Sequence, residues 1–368
     1  MTTLSNAPSI SIVVPTRNRP ESLSRTMKSF SNLRFHWQEI ELIIVDNSPS
    51  INSCRDLFAE FQAQFSTSAN VRYCLEQTPG LLSGRHRGLQ EAKGEIIAYV
   101  DDDVVFTPDW IEGILECFSD PNVALCGGPT TPLFFASPPA WLSSFWCKHN
   151  EVLSYLPELS LTQTSYPCIL EVEPQYVFGL NFIIRKKVLK EAKGFHPDCV
   201  PPEFQHFQAD GETGLAKKIQ ELGYKTVYHH KIHLMHQIEA NRLTVEYFEN
   251  RYFYQGVCDS YSEIRKNGGH SPTQAVTLRS RNLPLPLKIA RRLKNALLPK
   301  ATRPECNESD TVKQRCNSAY KRGYNFHQEC ARRSPKLREW ITKEDYFDFT
   351  YPELESYFEL PPRNPTSN

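Results

Sequence analysis

Short, almost continuous apolar runs constrain the fold of this chain more than any other feature. They occur at Ile10–Val14, Ile40–Val45, Val71–Leu75, Ile96–Val100 and Val123–Cys126. Apolar runs without alternation are typical of strands that are buried on both faces of a sheet. The segments between them have helical spacing, as in Leu23, Met27 and Phe30 after Pro20. The alternation predicts an α/β fold in which helices flank a mostly parallel, Rossmann-like sheet.

Two of these runs end on aspartates. Val45 is followed by Asp46, and Val100 is followed by Asp101, Asp102 and Asp103. In such sheets ligands bind beyond the carboxyl ends of the strands. Adjacent carboxylates repel one another unless a cation offsets their charge, and a hard divalent ion prefers oxygen ligands. The sequence therefore predicts Mn²⁺ or Mg²⁺ at this edge, shared with substrate phosphates, although Asp46 alone could be a turn former.

Four histidines follow later in the chain, at His229, His230, His233 and His236. Neighbours on an extended segment face opposite sides, so all four cannot share one ion without a bend. Each one taken singly is more simply a surface histidine or a hydrogen-bonded core histidine. The histidines alone therefore do not define a metal site.

Residues 127–178 are rich in proline and aromatic side chains, and this composition predicts a long loop region over the sheet. The aromatic residues either pack under the loops or form a wall that faces a substrate. Regular structure is predicted again in a strand at Phe182–Ile184, a helix at Gly211–Leu222 and a strand at Lys225–Tyr228, with Gly223 ending that helix.

Five segments in order resemble the family 2 glycosyltransferases of the GT-A fold. They are SIVVPTRNRPESL, ELIIVDNS, GLLSGRHRGLQEAKGEIIAYVDDDV, FGLNFIIRKKVLKEAKGF and DGETGLAKKIQELGYKTVYHHKIHLMH. The resemblance covers about Ile10 to Gly256. It implies a nucleotide-binding α/β domain, a nucleotide-sugar donor with a UDP-sugar as the first expectation, a divalent metal, and inversion at the anomeric carbon. The implied acceptor is a hydroxyl of a saccharide or a lipid-linked acceptor.

The resemblance also implies roles for residues at the first strands. Pro15, Thr16 and Arg17 match the loop around the base and ribose. Asp46 matches the carboxylate that binds the base. Arg85 matches an arginine near the base and the diphosphate.

Further roles follow from the later motifs. Asp101 and Asp103 match the DxD pair, with Asp103 as the metal ligand and Asp101 or Asp102 nearer the ribose. His236 matches a position whose imidazole can complete metal binding. A fixed ion of this kind would stabilise the charge that gathers on the leaving diphosphate.

The catalytic base is expected at the start of the predicted helix at Gly211–Leu222. The family's base is the last acid of a Glu-Asp pair, which places Glu212 on the base position, whereas Gly211 replaces the preceding acid. Asp210 therefore remains the alternative base. Asn181 belongs to the segment that resembles the lining of the donor sugar and acceptor, and Arg251 is a candidate cation for the leaving group.

The carboxyl-terminal part differs in charge from the rest. Residues 1–270 hold 24 basic and 31 acidic residues, whereas residues 271–368 hold 18 and 11. We expect a catalytic domain at 1–270 and a helical basic extension at 271–368. Within the extension, the basic amphipathic segment 286–298 either lies on an anionic membrane surface or docks on the protein. A second helix at Thr311–Arg333 is predicted to pack against the catalytic domain.

Composition limits the function classes. The 42 basic and 42 acidic residues balance, and no nucleic-acid-binding fold is recognised, so no nucleic-acid partner is expected. The 11 cysteines are odd in number and form no CxxC pair, which favours reduced thiols. The amino terminus lacks a signal-peptide pattern, so we expect a cytoplasmic protein, with peripheral attachment at the inner face of the membrane if segment 286–298 binds lipid.

Two other functions remain open at this stage. A nucleotidyltransferase would need a glycine-rich phosphate loop near the amino terminus, and Pro15 to Arg19 contain no glycine. A non-catalytic nucleotide-sugar-binding protein remains an alternative because Gly211 interrupts the acidic pair.

Overall fold

Two β-sheets frame the computed structural model, which describes residues 9–36, 39–49, 54–63, 70–164, 169–270 and 308–354. The first sheet contains β1 Ile10–Thr16, β2 Ile40–Asp46, β3 Val71–Leu75, β4 Ile96–Val100, β6 Val123–Gly127, β11 Ile169–Glu171, β12 Asn181–Arg185 and β13 Lys225–His229. The second sheet contains β5 Val104–Phe106, β7 Thr130–Phe134, β8 Cys147–Lys148, β9 Leu153–Leu156, β10 Leu161–Thr164 and β14 Leu234–Ile238.

The first sheet confirms the predicted α/β fold. Its order is β11-β13-β6-β12-β4-β1-β2-β3, and β1 pairs in parallel with both β2 and β4. Its central side chains, such as Val13 and Ile43, are fully buried, which explains the unbroken apolar runs. Strand β12 runs antiparallel between β4 and β6, so the parallel part is interrupted at that point.

The second sheet corrects the prediction of a long loop region at residues 127–178. Strands β7 to β10 lie in that region, and β14 completes the sheet by pairing in parallel with β7 and antiparallel with β5. The partners β7 and β14 are about a hundred residues apart, so no local pattern indicates their pairing. Several aromatic residues of the region do pack as a core: Trp141 and Phe145 meet Phe248 edge-on at ring-centroid distances of 5.0 and 5.2 Å.

Helices cover the sheets. They are α1 Pro20–Phe30, α2 Arg55–Gln62, α3 Leu81–Glu91, α4 Trp110–Phe118, α5 Lys186–Glu191, α6 Gly211–Glu221, α7 Val245–Lys266, α8 Glu308–Arg333 and α9 Pro335–Thr342. As the sequence predicts, α1 begins at Pro20 and buries Leu23 and Met27. The hydroxyl of Thr244 caps α7 by accepting a hydrogen bond from the amide of Tyr247.

The carboxyl-terminal helices pack on the rest of the molecule. Trp340 and Tyr346 belong to the same buried cluster as Val13 and Tyr99 of the first sheet. Helix α8 packs along α7, as predicted for the second helix of the extension. The described part of the extension therefore shares a core with residues 1–270, and the domain boundary at residue 270 stays a prediction.

Segment 286–298, the predicted membrane-binding or docking helix, lies outside the described residues. Within the ranges that the structure describes, no helix is both long enough and apolar enough to cross a membrane.

Two glycines allow α7 and α8 to approach closely. A Cβ atom at Gly323 would lie 1.9 Å from the backbone oxygen of Phe253, and one at Gly256 would lie 2.1 Å from that of Tyr320. Real Cβ atoms do not approach backbone oxygens to these distances. Any side chain at these positions must therefore separate the two helices.

We predict that Gly323→Ala lowers the free energy of unfolding by about 1 to 3 kcal/mol, because the added methyl group overpacks the helix contact. Urea unfolding of the full chain measures this difference. The matched control is Asn317→Ala, an exposed position on the same helix, which should leave the midpoint almost unchanged. A Gly323→Ala protein as stable as the wild type would contradict the close contact.

Candidate active site

An open cleft of about 2150 Å³ lies at the carboxyl ends of β1 and β4. The register explains this position, since Thr16 of β1 pairs with Asp46 of β2 and Val100 of β4 pairs with Asn181 of β12. The lining includes Pro15, Thr16, Arg17, Arg19, Arg85, Asp101, Asp102, Glu212, His236, Arg242, Arg251 and Tyr324. The cleft thus extends from the first-strand loop past α6 to α8.

Arg85 is the central cation of the cleft and is only 2% exposed. Its Nη1 atom lies 3.2 Å from Oδ2 of Asp198 and 3.4 Å from Oε2 of Glu212, and its Nη2 atom lies 4.0 Å from Oδ1 of Asp101. Its guanidinium also lies over the ring of Phe195, at 4.8 Å from the centroid. One buried cation therefore joins three carboxylates from three parts of the chain.

Glycines in α3 bring Arg85 to this position. A Cβ atom at Gly88 would lie 2.2 Å from Cγ1 of Val13, and one at Gly84 would lie 3.1 Å from Cβ of Pro15. Helix α3 can therefore lie directly on β1. The side chain of Arg85 then reaches the strand end at which Asp101 lies.

Glu212 lies in the first turn of α6 and keeps about a quarter of its side chain exposed to the cleft. Its Oε1 atom accepts a hydrogen bond from the amide of Gly179 at 3.3 Å. These contacts orient the carboxylate but leave it accessible. The arrangement suits a group that accepts a proton from a bound molecule.

Asp210, the alternative base, is tied into a buried network instead. It accepts hydrogen bonds from Nδ1 of His196 at 2.7 Å and from the hydroxyl of Ser262 at 2.5 Å, and Nζ of Lys217 lies at 3.3 Å. Burial alone would raise its pKa, but His196 and Lys217 lower the pKa of Asp210 to about 2. A carboxylate held this way is a weak base, so the geometry favours Glu212.

Arg19 binds two carboxylates of the aspartate triplet. Its Nη1 atom lies 2.6 Å from Asp102 and its Nη2 atom lies 2.7 Å from Asp103. Asp102 also accepts a hydrogen bond from the hydroxyl of Thr16 at 2.6 Å. Burial raises the pKa of Asp102 to about 7, and Arg19 opposes that shift. Asp102 is therefore held by the first-strand loop with only 4% of its side chain exposed, whereas 34% of the Asp101 side chain is exposed at the cleft.

Asp103 meets His236 and a second arginine. Oδ2 of Asp103 lies 2.7 Å from Nη2 of Arg242 and 3.4 Å from Nε2 of His236. The Nη1 atom of Arg242 lies 2.9 Å from the same Nε2 atom. Because a guanidinium only donates, Nε2 of His236 is the acceptor in its contact with Arg242. Burial alone would raise the pKa of Asp103, but the guanidinium groups of Arg242 and Arg19 help to bring it well below its usual range.

These two residues fit a divalent ion. Oδ1 of Asp103 and Nδ1 of His236 are buried and have no hydrogen-bond partner within the described ranges. Oδ1 of Asp103 supplies an unpartnered carboxylate oxygen, and Nε2 of His236 would offer its lone pair to an ion in place of Arg242. No group of three His, Cys, Asp or Glu side chains in the described residues is arranged to hold a metal, so the remaining ligands would have to come from a bound molecule.

Comparison with known proteins decides the family. Residues 11–191 match the model of glycosyl transferase family 2. Residues 11–191, about half of the chain, belong to glycosyltransferase family 2. It is therefore an enzyme, and the non-catalytic alternative is not supported.

Two curated relatives of this family 2 enzyme are a glucosyl-dolichyl phosphate glucuronosyltransferase of Haloferax volcanii and a validoxylamine A glucosyltransferase of Streptomyces hygroscopicus subsp. jinggangensis. The first is 22% identical over 67% of this chain and 75% of its own length. The second is 24% identical over 33% of this chain and 28% of its own length.

A solved structure supports the GT-A fold. The mannosyltransferase PcManGT from Pyrobaculum calidifontis, in complex with GDP-Man and Mn²⁺, aligns with a TM-score of 0.50 and 12% identity. The alignment covers 86% of this chain and 87% of that chain. At this identity the likeness concerns the fold alone.

Four further residues that were predicted for the family 2 site line the cleft. Pro15 and Thr16 end β1, and Arg17 donates to the backbone oxygen of Asn47 at 2.6 Å on the cleft wall. Arg251 of α7 also lines the cleft, and its Nε donates to the backbone oxygen of Glu158 at 3.1 Å. All four are available to a ligand in the cleft.

Two predicted residues lie behind the cleft wall. Asp46 is 1% exposed and accepts hydrogen bonds from the hydroxyl of Tyr73 and the amide of Ser48. Asn181 donates to the backbone oxygen of Ile232 and accepts from the indole of Trp110. Their direct contact with a ligand stays a prediction that this geometry does not favour.

Sequence reasoning missed three charged residues of the site, Arg19, Asp198 and Arg242. Arg19 lies in the same first-strand loop as Arg17, so its closeness to Arg17 in the sequence was the available signal. Arg242 follows His236 by six residues but approaches only after the chain turns beyond β14. Asp198 lies between two motifs, and the missing acid at Gly211 was the only indication that another carboxylate was needed.

We predict that Asp210→Asn destabilises the fold. A folded pKa of about 2 lies below the unfolded value of about 3.9, so the ionised form adds stability above pH 4 that is lost as the pH falls towards 2. The loss at pH 7 should be on the order of 2 kcal/mol. Urea unfolding at pH 7 and pH 3 should show a smaller difference from the wild type at pH 3, whereas the exposed-site control Glu60→Gln should show none. A pH-independent difference would contradict this assignment.

Proposed function

We propose that the enzyme is an inverting glycosyltransferase that moves a sugar from a nucleotide-diphosphate sugar to a hydroxyl of a saccharide or lipid-linked acceptor. The observation that carries this proposal is the single guanidinium of Arg85, which contacts Asp101 at the strand end and Glu212 on α6. A donor held at the aspartates would then have its sugar between the strand end and the carboxylate. That is the arrangement which displacement from the opposite side requires.

Glu212 is the proposed general base. Its contacts with Arg85 and Gly179 leave part of the carboxylate free for the acceptor hydroxyl. The hydroxyl oxygen bonds to the anomeric carbon as the bond to the diphosphate breaks, and its proton passes to Glu212. One base suffices for this reaction, because the departing diphosphate needs charge stabilisation more than a proton.

The proposed support for the leaving group lies at the aspartate triplet. Arg19 and Arg242 place two guanidinium groups there, and both line the cleft. Asp103 and His236 would hold Mn²⁺ or Mg²⁺ through the unpartnered Oδ1 of Asp103 and through Nε2 of His236. A bound divalent ion supplies Lewis-acid stabilisation of the diphosphate charge. No specific observation favours nucleotidyl transfer instead.

The donor and acceptor classes are the open part of the proposal. A UDP-sugar is the first donor to test, and GDP-mannose is the second because PcManGT was solved with it. A lipid-linked saccharide is the first acceptor class, because the relative from Haloferax volcanii is named for a dolichyl phosphate glucoside. Hydrolysis of a nucleotide-sugar panel with Mn²⁺ or Mg²⁺ would identify the donor without knowledge of the acceptor. No hydrolysis and no binding of any member would refute the proposal.

We predict that Glu212→Gln keeps donor affinity within about twofold but lowers turnover by about 10²-fold or more, because the amide cannot take the proton. Calorimetric titration of the donor and the rate of donor hydrolysis measure the two effects. Asp210→Asn is the comparison variant and should retain more turnover than Glu212→Gln. The reverse order would assign the base to Asp210.

We predict that Asp103→Ala removes the metal dependence of nucleotide binding. The wild type should bind the donor nucleotide at least about tenfold more tightly with Mn²⁺ than with EDTA, because Asp103 would hold an ion that offsets the diphosphate charge. The variant should show little difference between the two conditions. An unchanged Mn²⁺ effect in Asp103→Ala would refute the ligand assignment, and Asp120→Asn, a carboxylate outside the cleft, is the control.

A further inference from the structure

We propose that Asp198 is a positioning residue for the general base and takes the place of the acid that Gly211 lacks. The inference rests on the proposed function, because it assumes that Glu212 is the base. Asp198 precedes α6 by a dozen residues and lies in none of the five motif segments. Its place beside Glu212 follows from the three-dimensional structure alone.

The first observation is steric. Gly211 has φ of +49°, and a Cβ atom built on it would lie 2.7 Å from Oδ2 and 2.9 Å from Cβ of Asp198. The carboxyl group of Asp198 therefore fills the space into which a side chain at position 211 would project. An acid at position 211 and an acid at position 198 exclude each other. The chain places one carboxylate beside the base, but takes it from a different segment.

The second observation is a shared cation. Nη1 of Arg85 lies 3.2 Å from Asp198 and 3.4 Å from Glu212, so the two carboxylates compete for one guanidinium edge. The backbone oxygen of Asp198 also accepts a hydrogen bond from the amide of Leu81, which begins the helix that carries Arg85. With Asp198 ionised, Arg85 is divided between two anions, and Glu212 keeps more of its negative charge for the acceptor proton. Without Asp198, the guanidinium would neutralise Glu212 more completely.

The third observation is the energetic cost of this arrangement. Asp198 is 6% exposed, and its Oδ1 atom has no hydrogen-bond partner in the described part of the chain. Burial raises the pKa of Asp198 to about 7, Arg85 opposes this shift, and the charge of Glu212 adds to it. An acid with a raised folded pKa stabilises the fold at low pH, and this stability is lost as the pH rises to 7. A buried charge that weakens the fold at working pH is typical of a functional site.

The ionisable groups that face Asp198 come from several elements. They are Arg85 of α3, Glu212 of α6, Asp101 after β4, the neighbouring thiol of Cys199, and Tyr351 of the carboxyl-terminal segment. Among these, Arg85 is the group that contacts both Asp198 and Glu212. Replacing the carboxylate of Asp198 should therefore act on Glu212 through Arg85.

The test compares Asp198→Asn with the wild type, using the donor that the nucleotide-sugar panel identifies. We expect kcat for donor hydrolysis to fall by about tenfold or more while the donor Kd changes by less than about twofold. The acid limb of the pH–kcat profile should move to lower pH, because no carboxylate then competes for Arg85. The variant should also remain folded at pH 8, because Asp101 and Glu212 still balance the charge of Arg85. Asp198→Glu, which keeps the charge, should recover part of kcat.

The control is Asp120→Asn, which removes a partly exposed carboxylate that pairs with Lys225 outside the cleft and should change neither kcat nor the profile. Asp198→Asn with wild-type kcat and an unmoved acid limb would overturn the inference, while an inactive Glu212→Gln would still support the proposed function. Loss of folding in both Asp198→Asn and Asp198→Ala would also overturn it, because Asp101 and Glu212 still balance the charge of Arg85 in these variants. A wild type that neither binds nor hydrolyses any donor would overturn both.

Discussion

The guanidinium of Arg85 is the interaction on which the cleft depends. A buried cation is costly unless anions surround it, and here the anions come from the end of β4, the segment before α6 and α6 itself. These segments must converge for the charge of Arg85 to be balanced. The same convergence brings the strand-end aspartates and Glu212 into one cleft. The burial of Arg85 and the assembly of the proposed catalytic residues therefore depend on the same contacts.

The carboxyl-terminal region also holds α3, the helix that carries Arg85, in place. The ring of His86, next to Arg85 on α3, contacts the backbone oxygen of Tyr346 and lies 4.6 Å from the ring of Phe347. The hydroxyl of Tyr351 donates to the backbone oxygen of Pro79, just before α3. Helix α3 is therefore held between β1 and the carboxyl-terminal segment. The family match ends at residue 191, but the described residues that fix the position of Arg85 continue to Tyr351.

The cleft has to bind an anionic donor although it is lined by several carboxylates. Residues 1–270 are net acidic and carry several cleft carboxylates, whereas the proposed donor is a diphosphate. Arg19 and Arg242 offset the negative charge where the diphosphate would lie, because they contact Asp102 and Asp103 directly. Glu212 stays apart from these two arginines and keeps its access to the cleft. Separation of the two functions into different walls allows one site to attract an anion and accept a proton.

The sequence predicted what depends on local pattern. Buried strands such as Ile40–Asp46 have unbroken apolar runs, and the family motifs indicated Arg85, Asp101 and Glu212, which the structure brings together. The second sheet was missed because β7 and β14 pair across about a hundred residues. Asp198 and Arg242 were missed for the same reason, since Asp198 pairs with Arg85 and Arg242 pairs with Asp103, both distant in sequence. Long-range pairing leaves no periodicity that a single sequence can show.

The stereochemistry of donor hydrolysis tests the central claim most directly. One base and a leaving group on opposite sides of the anomeric carbon require a single displacement. Proton NMR recorded before mutarotation should therefore show that the sugar first released from an α-linked nucleotide sugar is the β anomer. First release of the α anomer would contradict a mechanism in which Glu212 acts as base across the cleft from the aspartates.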